Sequence, residues 1–167
     1  FTISLCYDVG KGGESMDVLI LALNSKYIHS SLAPWYLQSA ISDLTEDSLV
    51  LEHTINERPA DVLADILARK PKILAISVYI WNVKMVYALA EQVKAQLPQT
   101  KIVLGGPEVG YNPKEVLEQS PSVDFVISGE GEQPFLTLCE HLLLGKALLP
   151  LGISYRAENK NHIAEPY

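Results

Sequence analysis

A chain of 167 residues, 48% hydrophobic and 20% charged, has the balance of one soluble globular domain that builds its core without staples. Its formal net charge of -7 argues against a nucleic-acid partner, and no apolar run of about 18 residues offers a membrane span. The two distant cysteines, Cys6 and Cys139, form no CxxC or CxxxCxxC, so neither a zinc nor an iron–sulfur signature is present, and this usage suits a reducing cytoplasm.

Residues 1–15 read as a tag or other non-native extension. Gly10-Lys11-Gly12-Gly13-Glu14-Ser15 is linker-like, and Met16 opens a clean strand. From there strand and helix patterns alternate. Asp17–Leu23 is a strand ending in the polar loop Asn24–Ser31. Leu32–Leu44 has helical spacing, with Pro34 tolerated in the first turn. Leu49–Thr54 is a second strand, and Pro59–Arg69 an amphipathic helix with Ala60, Leu63, Ile66 and Leu67 on one side. Ile73–Val78 is a near-continuous apolar run, as expected of a strand buried on both faces.

Asn82–Leu97 is the longest helix, with Asn82 as N-cap and Val86, Leu89, Ala90, Val93 and Leu97 toward the sheet. Lys101–Leu104 is a fourth strand, a helix runs from Asn112-Pro113 through Gln119, and Phe125–Ile127 is a fifth strand. Gln133–Leu144 is the last helix, stopped at Gly145, with Cys139 on its apolar face. Gly152–Arg156 and His162–Ala164 then read as a hairpin around a polar turn. These units predict a flavodoxin-like, Rossmann-like three-layer α/β sandwich. Its five-stranded parallel sheet has order 2-1-3-4-5, with a C-terminal β-hairpin. The switch point of that order, where ligands sit in open α/β sheets, lies between Asn24 and Ser77.

The candidate binding residues gather at strand ends. Ser77-Val78-Tyr79-Ile80-Trp81 puts a small hydroxyl and two aromatics at the switch point, suited to a bulky ring ligand or to ordinary core packing. Gly105-Gly106-Pro107-Glu108 either makes room for a ligand or is a tight strand-to-helix turn. Ser128-Gly129-Glu130-Gly131-Glu132 offers backbone N–H groups at a helix start, but its carboxylates argue against phosphate, and Glu132 also suits the helix macrodipole. Asn24-Ser25-Lys26-Tyr27-Ile28-His29 lies at the same rim. No Walker loop, GxGxxG or GxSxG is present, and no histidine pair has metal-ligand spacing.

The Ser77 turn, Leu104-Gly105-Gly106-Pro107 and Asp124-Phe125-Val126-Ile127-Ser128-Gly129-Glu130-Gly131-Glu132 together resemble the cobalamin (vitamin B12)-binding domain. The resemblance is to the version that precedes a radical S-adenosylmethionine (SAM) domain, as in anaerobic porphyrin ring cyclases and radical methyltransferases. It covers about residues 16–167, including Leu151-Gly152-Ile153-Ser154-Tyr155-Arg156, which looks like the hairpin that family places before its radical domain.

The resemblance implies a cobalamin domain over residues 16–150 and a hairpin or linker over 151–167. SAM and a 4Fe-4S cluster would belong to a further region of the same polypeptide, and the chain alone would not be catalytic. It further implies a corrin ring over the strand ends, with the nucleotide tail in a slot beside the central strands. The cofactor-binding set is then Asn24, Ser25, Lys26, Ser77, Val78, Tyr79, Gly105, Gly106, Pro107, Glu108, Gly129, Glu130 and Gly131. Ser77 would bond the tail, Gly105 and Gly106 would leave room beside it, and Gly129–Gly131 would meet the corrin amide arms.

The classical domains of this family carry Asp-x-His-x-x-Gly, whose histidine ligates cobalt. Here Tyr27-Ile28-His29-Ser30-Ser31-Leu32 keeps the histidine but lacks the aspartate and glycine, so cobalamin without histidine ligation is expected. The competing readings are a flavodoxin-like interaction or receiver-type domain without cofactor, and a flavin-binding domain. The first loop has neither a receiver's acidic cluster nor a flavin phosphate cradle.

Overall fold

The computed structural model describes residues 15–25, 31–148, 151–157 and 160–166. Strand β1 (Val18–Asn24) leads to α1 (Ala33–Ala40), β2 (Ser48–Thr54), α2 (Pro59–Arg69), β3 (Ile73–Ser77) and α3 (Val83–Gln96). Then follow β4 (Lys101–Gly105), the short turn α4 (Pro107–Gly110), α5 (Pro113–Gln119), β5 (Phe125–Ile127), α6 (Glu132–Leu144), β6 (Ile153–Ala157) and β7 (Lys160–His162). The extension over residues 1–14 lies outside the described residues.

The sheet order is β2-β1-β3-β4-β5-β6-β7. The first five strands are parallel in the expected order, and β6 and β7 add to them antiparallel. The C-terminal hairpin therefore does not stand apart. It covers the edge of β5, pairing Phe125 with Tyr155 and Ile127 with Ile153. Tyr155 is held between the Phe125 ring at 6.0 Å and the His162 ring, stacked at 4.7 Å. Pairing this edge removes an exposed row of unpaired backbone groups.

Alternation along the strands sends side chains to two cores. Leu19, Leu21, Leu74, Ile76, Ile102 and Leu104 face α2, α3, α4 and α5. Val18, Ile20, Ile73, Ala75, Val103 and Phe125 face α1 and α6. Helix α3 buries Val86, Leu89, Ala90 and Val93, the stripe its spacing predicts, with Leu97 packed at its end. Each such side chain contributes about 1.5–3 kcal/mol when taken from water.

Helix α2 turns differently from expectation. Val62 and Ile66 are its buried residues, while Ala60 is exposed in the first turn. Burying the larger Val62 takes more apolar surface from water than burying Ala60 would, so its side of the helix faces the sheet. Four helices, α1, α2, α4 and α5, have proline in the first turn, where the missing N–H is not needed. Helix α6 stops where Gly145 takes a left-handed φ of 71°. Cys139 is buried against α6's core face, and burial pushes its thiol up to about 12, leaving it inert. No helix of the described residues is long and apolar enough to cross a membrane.

Candidate functional site

The carboxyl ends of β1 and β3 separate at the predicted switch point. Strand β1 stays paired with β2 through Asn24↔Thr54, but its ladder with β3 ends at Leu21↔Ile76. Beyond that pair the two strands are no longer joined by a backbone ladder. On the α1/α6 side, continuing the register places Ala22, Ser77 and Gly105 in one row across the sheet, ending on Ile127. One level below stand Ile20, Ala75, Val103 and Phe125. Three small residues in the upper row leave volume that branched side chains would fill. The head of α6 lies close to α1 there, since a Cβ at Gly131 would come within 3.3 Å of Leu37 Cδ2.

Several hydroxyls at this end have no hydrogen-bond partner among the described residues. Ser77 is 9% exposed, and its hydroxyl makes no side-chain hydrogen bond to the described residues. The hydroxyls of Thr54, last in β2, and Ser128, first after β5, are buried with no partner among the described residues. Leaving a buried hydroxyl unpaired costs about 1–3 kcal/mol, so such groups gather where a ligand completes them.

Apolar side chains at the same end face water. Ile80 and Trp81 follow β3, Tyr111 follows α4, and Leu32 and Tyr36 lie at the start of α1. All five are large and exposed. Tyr79 and Trp81, read from sequence as possible core packing, instead stack on one another with ring centres 4.6 Å apart. The Trp81 indole N–H donates to the Leu23 carbonyl at 3.3 Å.

Asn82 occupies the N-cap position of α3 but does not cap it. Its Nδ2 donates to the carbonyls of Leu23, at 3.2 Å, and Ser77, at 3.1 Å, and its Oδ1 accepts the Tyr79 N–H at 2.9 Å. Sequence reasoning saw a cap because asparagine before a helix usually is one. The side chain instead crosses the gap between β1 and β3. Only its almost complete burial distinguishes it, and that is a tertiary fact.

The two glycines at the end of β4 differ in purpose. Gly106 has φ 103°, and a Cβ there would lie 2.6 Å from the Val78 carbonyl oxygen. The expectation that Gly106 leaves room for a ligand is corrected on this point: its missing Cβ admits the Val78 backbone, and this lets β3 and the β4 turn approach. At Gly105 a Cβ would meet Ile127 at an ordinary 3.8 Å, so a methyl group fits there without displacing its neighbours.

Pro107 and Glu108 are exposed within α4, and burial, then the charges of Glu108 and Glu115, push the Tyr87 phenol upward. Gly129, with φ 88°, and Glu130 are exposed ahead of α6. The structure thus brings Ser77, Val78, Tyr79, Gly105, Gly106, Pro107, Glu108, Gly129, Glu130, Gly131, Asn24 and Ser25 to one end of the sheet. Lys26 and His29 lie outside the described residues.

The described histidines are committed elsewhere. His53 sits between Glu57, 2.6 Å from Nδ1, and Asp65, 3.0 Å from Nε2. His141 Nδ1 meets the Lys146 carbonyl, and His162 stacks on Tyr155. No cluster of three metal-ligating side chains forms among the described residues. A shallow hollow of about 420 Å³ between Trp35, Gln38, Ser42, Thr45 and Ser48 lies on the outer side of α1, away from the gap.

Comparison with known proteins agrees with this geometry. The B12 binding domain family matches residues 18–138. The cobalamin-dependent radical SAM methyltransferase TokK of Streptomyces tokunonensis is 38% identical over 80 residues, covering 48% of this chain and 12% of its own. The cobalamin-dependent S-adenosylmethionine radical enzyme OxsB superposes with a TM-score of 0.72 at 17% identity, over 92% of this chain and 22% of its own. A cobalamin-binding protein from Desulfitobacterium hafniense DCB-2 has a TM-score of 0.55 at 15% identity, over 75% of this chain and 58% of its own. The chain therefore spans about an eighth of TokK and under a quarter of OxsB. The two structural likenesses carry the fold alone, and the family match carries the assignment: this chain belongs to the B12-binding domain family.

Proposed function

We propose that this chain is the cobalamin-binding module of a longer B12-dependent radical SAM enzyme that transfers a methyl group. The observation that carries the reading is the gap between β1 and β3, floored by Ala22, Ser77 and Gly105, with the Ser77 hydroxyl unpartnered. A flat nucleotide base fits a slot lined by small residues, and the hydroxyl offers it one hydrogen bond. The exposed side chains of Ile80, Trp81 and Tyr111 supply apolar contact for the ring above and exclude water from its lower face. The backbone N–H groups of Gly129–Gly131 hold its amide arms, and Asn24 and Ser25 lie beneath it.

When bound, the cofactor supplies methyl-transfer chemistry at its cobalt, and these residues bind and orient it. SAM and a 4Fe-4S cluster belong to a radical domain of the same polypeptide, because no CxxxCxxC occurs in these residues. Tyr27 stands where an aspartate would orient His29, so the cofactor would be held by the strand-end residues and not through that imidazole.

The test is retention. The purified chain mixed with hydroxocobalamin carries it through gel filtration with a shifted visible spectrum. Clean separation of cobalamin while flavin mononucleotide stays bound would make this a flavin domain. Loss of both would leave a cofactor-free interaction domain.

A further inference from the structure

The backbone ladder between β1 and β3 stops at Leu21↔Ile76, yet the strand ends beyond it do not drift freely. The Asn82 side chain replaces the ladder there. One Nδ2 hydrogen goes to the Leu23 carbonyl on β1 and the other to the Ser77 carbonyl on β3, while Oδ1 takes the Tyr79 N–H. Asn82 is 1% exposed, and both of its amide hydrogens are used. The neighbouring Trp81 reinforces the same anchor by donating to the same Leu23 carbonyl.

A direct ladder would bring the strands to about 5 Å and close the gap. An interposed amide keeps them tied but apart. The geometry points to Asn82 as a positioning residue that sets the width of the β1/β3 gap and fixes the Ser77 backbone within it, with Trp81 as its auxiliary. This rests on the cobalamin reading and deepens it, because selectivity for a corrinoid bearing a nucleotide tail then depends on a residue that need not touch the tail.

Two ligands separate the roles. Cobalamin carries the nucleotide tail, whereas cobinamide is the same corrin without it. Asn82→Asp keeps the shape but turns a double donor into an acceptor facing two carbonyls. If Asn82 sets the gap, the variant loses about tenfold or more in cobalamin affinity, about 1.4 kcal/mol, and its cobinamide affinity changes less than about twofold.

Both affinities come from spectral titration of the full chain, with circular dichroism and thermal melting in parallel. Asn82→Ser shortens the side chain so that it cannot reach both carbonyls, adds no charge and suits an N-cap, so it decides the matter if Asn82→Asp does not fold. It is expected to lose about threefold for cobalamin and nothing for cobinamide. Equal losses for both ligands would make the role a general structural one and overturn the inference. Unchanged cobalamin binding in a folded Asn82→Asp would overturn it too, while the cofactor reading stands. A wild-type chain that binds neither corrinoid would overturn the cofactor reading and this inference with it.

Discussion

The two ends of the parallel sheet are built on opposite rules. At the amino ends of the strands several charges are paired within the protein. Asp17 accepts from Thr45 Oγ1 at 2.8 Å and pairs with Lys72 at 2.6 Å. Lys94 pairs with Asp124 at 2.6 Å and donates to the Thr100 carbonyl, Asp124 also takes the Ile102 N–H, and Thr100 Oγ1 donates to Pro71. At the carboxyl ends the hydroxyls of Thr54, Ser77 and Ser128 have no hydrogen-bond partners among the described residues, and Ile80, Trp81 and Tyr111 lie open. One end is finished by the protein's own groups, and the other keeps polar and apolar surface for something else to complete. Substitutions at the amino end should therefore cost stability and spare binding. At the carboxyl end they should do the reverse, except where a residue serves packing.

Gly106 is that exception and carries the largest expected effect. Gly106→Val puts a branched Cβ against the Val78 carbonyl at a φ that side chains avoid. It should cost about 3 kcal/mol or more and show as a lowered denaturation midpoint. Gly105→Ala, one residue earlier, should cost under about 1 kcal/mol and instead weaken cobalamin binding. If both variants destabilise alike, the distinction between the two glycines is wrong.

At the amino end, Asp124→Ala removes the Lys94 pair and the Ile102 N–H acceptor together. A loss of about 2–3 kcal/mol in urea unfolding is expected, with cobalamin affinity unchanged. Ser77→Ala is the mirror image. The hydroxyl has no protein partner, so stability should move by less than about 0.5 kcal/mol, while cobalamin affinity falls about tenfold. A Ser77→Ala variant that is clearly destabilised would show that the hydroxyl serves the fold.

The smallest effect lies beside the carboxyl end of the edge strand, where Glu57 accepts from the protein's own groups. Burial pushes the Glu57 carboxyl upward, but hydrogen bonds from His53 and the Thr54 N–H outweigh it and hold the group below its usual 4.5. A carboxylate lowered in the folded state stabilises above its unfolded value and loses that contribution as pH falls through the folded one. Glu57→Gln should therefore cost about 1 kcal/mol at pH 7 and little near pH 3, without touching cobalamin affinity. Parallel stability curves for the two proteins across that range would contradict the hydrogen-bond assignment.

The sheet was readable because its causes are local. Apolar runs such as Ile73–Val78 and the stripe Val86, Leu89, Ala90 and Val93 carry their periods in the chain. That the candidate residues gather at the carboxyl end of the sheet could be read from strand ends alone. What sequence could not supply was contact between distant segments. That β6 pairs with β5 depends on the Phe125–Tyr155 register, and α4 is too short for a period. The Val78 backbone beside Gly106 and the Leu23 carbonyl beside Asn82 are brought there by the crossover. Ala60 looked inward because alanine suits either face of a helix, whereas Val62 decides which side is buried.

Hydrogen exchange with and without hydroxocobalamin tests the contrast between the two ends most directly. Bound cofactor should slow exchange at residues 77–82, 105–111 and 128–133 and leave 45–48, 71–73, 98–102 and 120–124 unchanged. Protection confined to the amino ends, or spread equally over both, would contradict the assignment of cobalamin to the gap between β1 and β3.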